Sequence, residues 1–127
     1  MSNNDREILI VESDQPTAEL YRRALSKAYQ VFTCADERTA LNLIRTRPIR
    51  AVVLEPAIGG GQGWQLLAAI RRACDSHAIP IVLCSTLDER RRGMELGAES
   101  YLVKPTLPQT LQDTLQRLIP LPDRDGA

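Results

Sequence analysis

Ile8-Leu9-Ile10-Val11, followed by Glu12-Ser13-Asp14-Gln15-Pro16, is the stretch that decides the fold. Four apolar residues in a row, most of them β-branched, suit a strand buried on both faces, since a strand with one wet face would alternate. Asp14 and Pro16 then supply a helix start: a side-chain acceptor for free backbone N–H groups, and a φ already set for the first turn. Ala18, Tyr21, Leu25 and Ala28 recur at helical spacing, which predicts a helix over 15–28. A doubly buried strand running straight into an amphipathic helix is the first half of a βαβ unit.

The same alternation continues outward along the chain. Residues 31–34 read as a second strand, and Asp36 caps a helix carrying Ala40, Leu41, Leu43 and Ile44 that ends near Arg47-Pro48. A third buried strand covers 51–54, a loop covers 55–63, and Trp64, Leu66, Leu67 and Ile70 mark a third helix. A fourth strand is expected over 80–84, a short helix over 87–96 and a fifth strand over 101–103. Pro108 opens a last helix with Leu111, Leu115, Leu118 and Ile119 on one side, and Pro120 stops it. Strands and helices in strict alternation imply right-handed crossovers and a parallel sheet covered on both faces. Residues 7–119 are expected to form one domain, between a flexible segment 1–6 and a tail 120–127.

At 127 residues the chain is long enough for a single hydrophobic core without staples. Sixteen Lys plus Arg balance sixteen Asp plus Glu, which argues against bulk electrostatic binding to nucleic acid or acidic membranes. No run approaches the ~20 apolar residues of a membrane span, so no membrane insertion and a cytoplasmic location are expected. Cys34, Cys74 and Cys84 form no C-x-x-C pair and read as packed thiols rather than a disulfide or zinc framework. Gly59-Gly60-Gly61-Gln62-Gly63 lacks the lysine and hydroxyl of a phosphate loop and reads as a plain connection. Ser85 has no G-x-S-x-G elbow, and His77 is the only histidine, so a serine hydrolase is not expected. Trp64 reads as a packing or surface aromatic. Glu89-Arg90-Arg91-Arg92 reads as a solvated helical face or a basic contact for an acidic partner, with too few arginines to claim DNA binding.

Ligands of open parallel sheets sit beyond the carboxyl ends of the strands. That singles out Glu12-Ser13-Asp14, Glu55-Pro56, Ser85-Thr86 and Lys104-Pro105. Together with Gly97, Ala98 and Tyr101 in a Gly-Ala-x-x-Tyr-x-x-Lys-Pro pattern, these strand ends resemble the receiver domains of two-component response regulators. The resemblance runs over about residues 7–119. It implies a flavodoxin-like three-layer α/β/α sandwich with a five-stranded parallel sheet in the order 2-1-3-4-5, as in chemotaxis receivers. It also implies an acidic pair where Glu12 and Ser13 stand, a phosphoacceptor aspartate where Glu55 stands, and a loop glycine at Gly63. Ser85, Tyr101 and Lys104 match the residues that sense the phosphoryl group. Magnesium would be held by the carboxylates after strands one and three and by the carbonyl of Ala57.

The departures from that pattern are chemical. Glu55 carries its carboxylate about 1.5 Å farther out than aspartate would, and a misplacement of about 1 Å can cost on the order of a hundredfold in rate. Ser13 removes a charged metal ligand, and Asp14 comes one position late. Ordinary phosphotransfer is therefore not expected: no catalytic residue, no enzyme activity, no required cofactor, and magnesium binding weakened at Glu12, Ser13, Glu55 and Ala57. Glu55 with Lys104 is either a structural ion pair or a partial substitute for the phosphoryl group, one negative charge standing in for about two. The expected function is a stand-alone receiver-like domain in phosphorelay signalling, independent of phosphorylation and acting by protein–protein contact. Its partner would be a histidine kinase or another signalling protein, with a homodimer left open. The alternatives are a live magnesium-dependent receiver using Glu55 or Asp14 and, on fold analogy alone, a small-molecule-binding module. The chain from Ser85 to Gly97 is shorter than the family's usual by about one helical turn, which alters the helix that faces partners.

Overall fold

The computed structural model describes residues 6–73 and 79–120. Cys74, His77 and the terminal stretches 1–5 and 121–127 lie outside the described residues, and the expectations placed on them go with them. The elements follow in strict alternation: β1 (Glu7–Val11), α1 (Gln15–Leu25), β2 (Gln30–Cys34), α2 (Glu37–Thr46), β3 (Ile49–Leu54), α3 (Ile58–Ala73), β4 (Ile81–Ser85), α4 (Arg90–Glu95), β5 (Ser100–Val103) and α5 (Pro108–Leu118). All strand pairs are parallel, in the order β2-β1-β3-β4-β5. The chain is the flavodoxin-like sandwich that its pattern implied.

The pleat divides the core in two. Ile8, Ile10, Ala51, Val53, Val82 and Cys84 face Tyr21 and Leu25 of α1 and Leu111 and Leu115 of α5. Leu9, Val11, Val52, Leu54, Ile81 and Leu83 face Ala40 of α2 and Leu66, Leu67 and Ile70 of α3. Every residue of β1 and β4 is buried, which is why those runs read as uninterrupted apolar stretches. Fully burying each such Leu, Ile or Val stabilises the fold by about 2 kcal/mol against leaving it in water.

Helix starts behave as the sequence predicts. Asp14 accepts a hydrogen bond from the Thr17 N–H at 3.1 Å and Asp36 accepts one from the Thr39 N–H at 2.9 Å, satisfying donors that have no partner within their helices. Two helices are shorter than expected. Helix α1 stops at Leu25 rather than Ala28: the Arg22 carbonyl still accepts the Ser26 N–H at 2.9 Å, and the Leu25 carbonyl then takes both the Ala28 and Tyr29 N–H groups as the chain turns toward β2. Helix α4 covers only Arg90–Glu95 rather than 87–96. Ahead of it, Leu87 N–H goes to the Ser85 hydroxyl, while the Leu87 carbonyl and Glu89 N–H are both taken by the Tyr101 hydroxyl. At α4, side chains thus consume the backbone groups that another helical turn would need.

Between β3 and α3, Gly59, Gly60 and Gly61 have φ of 55°, 74° and 108°. The chain winds in the left-handed sense there, where a side chain would be strained, and right-handed helix follows. The region is the expected loop, tightly coiled. Gly63 is needed for a different reason: a Cβ there would sit 2.4 Å from the Pro56 Cα.

Candidate functional site

The register brings the site together. Val11 pairs with Leu54, so Glu12 and Glu55 emerge side by side, and the Glu55 N–H donates to the Val11 carbonyl at 3.0 Å. Beyond β4 and β5, the Lys104 N–H donates to the Ser85 carbonyl at 2.7 Å. Lys104 is thus three inter-strand spacings from Glu12, roughly 14 Å between backbones. Only long side chains close that gap. The Lys104 ammonium reaches Glu12 Oε1 at 2.5 Å and Glu55 Oε1 at 2.9 Å.

The remaining carboxylate oxygens are also occupied. Glu12 Oε2 accepts the Asp14 N–H at 3.1 Å, and Glu55 Oε2 accepts the Ala57 N–H at 3.0 Å. Glu12 is 6% exposed and Glu55 8%, so the bridge is largely buried and is not screened like a surface pair. Burial alone would pull the Lys104 pKa down, but the hydrogen bonds to Glu12 and Glu55 and their charges outweigh it and hold it above the ordinary lysine value.

The expected Glu55–Lys104 pair is present, and Glu12 joins it, which the sequence reading did not anticipate. The rest of the expected acidic pocket is not assembled. Ser13 is exposed. Asp14 turns its carboxylate onto Thr17 as the cap of α1, and the same contacts hold its pKa below the usual carboxylate range. Ser85 is 2% exposed and its Oγ accepts the Leu87 N–H at 3.3 Å. Tyr101 points inward, 5% exposed.

This donor set does not fit a magnesium ion, which demands near-octahedral oxygen coordination at short distances. Two carboxylates share one ammonium, and no cluster of three or more metal-ligating side chains exists among the described residues.

A doubly wound α/β domain with an acid–lysine cluster at the carboxyl edge of its sheet is the class that fold and site define. The chain belongs to the response regulator receiver domain family, whose model matches residues 8–116. It is 34% identical over 99 residues to the transcriptional regulatory protein HprR of Escherichia coli, covering 77% of this chain and 44% of that protein. It is 32% identical over 102 residues to the transcriptional activator protein IrlR of Burkholderia pseudomallei, covering 77% and 43%. The chain therefore spans under half the length of these relatives. Among solved structures, it resembles the chemotaxis response regulator CheY4 of Vibrio cholerae, with a TM-score of 0.82 and 26% identity over 90% of this chain and 98% of that one. It also resembles the signal receiver domain of a histidine kinase from Syntrophus aciditrophicus, with a TM-score of 0.80 and 25% identity over 91% and 90%. Among the described residues, no helix is long and apolar enough to cross a membrane.

Proposed function

We propose that this receiver domain serves two-component signalling in the cytoplasm without entering the phosphorylation cycle, by contact with a histidine kinase or another signalling protein. The observation that carries this reading is the Lys104 bridge. An incoming phosphoryl group needs a free carboxylate oxygen for in-line attack and a cation to neutralise its own oxygens. Here the oxygens of Glu55 are engaged by Lys104 and by the Ala57 N–H, and among the described residues no third carboxylate joins Glu12 and Glu55.

The test is direct. Incubation with acetyl phosphate and magnesium, followed by intact mass measurement, is expected to leave the mass unchanged. A gain of ~80 Da, the mass of one phosphoryl group, that disappears in Glu55→Gln would establish a live phosphoacceptor and defeat the proposal.

A further inference from the structure

We propose that the chain between β4 and β5 is a preset cap, with Gly93 as its positioning residue, which holds Tyr101 turned inward with no signal from the carboxylate cluster. The inference rests on the reading above only in taking that cluster as silent.

Three sets of contacts carry it. The Tyr101 hydroxyl donates to the Leu87 carbonyl at 2.5 Å and accepts the Glu89 N–H at 3.0 Å. Both partners are main-chain groups of the cap itself, available whatever occupies the site. The ring is held from above by closeness: a Cβ on Gly93 would lie 2.6 Å from Leu83 Cδ1 and 2.9 Å from Tyr101 Cδ2. Helix α4 therefore rests on the ring at a depth that only glycine permits. Finally, α3 anchors the cap at two points. The Arg92 guanidinium lies 4.1 Å from the centroid of the Trp64 ring, a cation–π contact. Arg71, two turns farther along the same face of α3, donates to the Gly97 carbonyl at 2.8 and 2.6 Å and to the Ile79 carbonyl at 2.7 Å, and pairs with Glu99.

The Ser85 hydroxyl oxygen accepts the Leu87 N–H at 3.3 Å, which ties the end of β4 into the same cap. Nothing in this arrangement waits on a ligand. The outer surface that carries exposed Leu87, Met94 and Leu96 is then presented in one fixed shape.

Amide hydrogen exchange on the full chain, resolved residue by residue by NMR, reads the cap directly. In Tyr101→Phe the Glu89 amide loses the Tyr101 oxygen and keeps only its longer 3.2 Å bond to the Leu87 carbonyl, so it should exchange roughly five- to tenfold faster, the loss of one hydrogen bond, while β1 and β3 amides keep their rates. Gly93→Ala should raise Glu89 exchange as well and shift the emission of Trp64, the only tryptophan, as Arg92 leaves its ring. If Gly93→Ala does not fold, Tyr101→Phe still decides. Equal Glu89 exchange in Tyr101→Phe and wild type overturns the cap, as does a change in wild-type Glu89 protection on adding acetyl phosphate and magnesium. The mass of the same sample separates the two readings. A phosphorylated chain with unchanged Glu89 protection defeats only the phosphorylation reading. An unphosphorylated chain with Glu89 as fast as in Tyr101→Phe defeats only the cap.

Discussion

Lys104 carries three N–H donors, and two of them are aimed at carboxylates that follow different strands. Removing it strands two buried anions, and the cost of an uncompensated buried charge is larger than the net worth of the bridge it breaks. Lys104→Met is therefore expected to lose about 3 kcal/mol at neutral pH in a urea titration. The pH dependence has a definite sign. Because the folded-state pKa of Lys104 is raised, its stabilisation is complete below the ordinary lysine value of 10.5 and is lost as pH climbs through the higher folded value. Wild type should lose stability over that alkaline limb, and Lys104→Met should lack this component. The pair with Glu55 was legible in the sequence because both residues sit at strand ends facing one pocket. The contact with Glu12 was not, since spacing along the chain gives no measure of how far a side chain crosses a sheet.

Elements were more legible than their edges. The strands stood out because burial on both faces writes an unbroken apolar run, as in Ile8 to Val11. The start of α4 was misplaced because Ser85 and Tyr101 compete for backbone groups, and that competition is visible only once the partners are in space. The same limit hid the role of Arg92, read as part of a solvated face and found stacked on Trp64. It also hid Arg71. Glycines of one loop make a further contrast. Gly60 has φ of 74° with open space around it, so Gly60→Ala meets only backbone strain, about 1 kcal/mol. Gly63→Ala instead drives a methyl into the Pro56 backbone, and overpacking of this kind costs about 3 kcal/mol where the obstacle cannot move. Chemical denaturation of the two variants should rank them in that order.

At the scale of the whole molecule, the sheet has a charged cluster at each end. Opposite the Lys104 bridge, buried Glu7 receives a forked pair of hydrogen bonds from Arg47 at 2.7 and 3.1 Å, and the guanidinium lies 4.5 Å from the Phe32 ring centroid. Arg47→Ala should cost about 2 kcal/mol, less than a fully buried pair because the arginine is partly exposed. The length of β1, roughly 16 Å, separates the clusters, so Arg47→Ala and Lys104→Met should add to within about 0.5 kcal/mol in the double variant. A larger deviation in a urea titration would reveal coupling along the sheet. Arg6 ties the ends of the described chain together by donating to the carbonyls of Ile119 and Pro120. A polypeptide whose first strand and last helix are stitched at one corner has the topology of a nearly closed ring. Joining that corner with a short linker and reopening the ring at Gly60-Gly61, where an added methyl would touch nothing, would permute the order of the elements while leaving every strand beside its present neighbours.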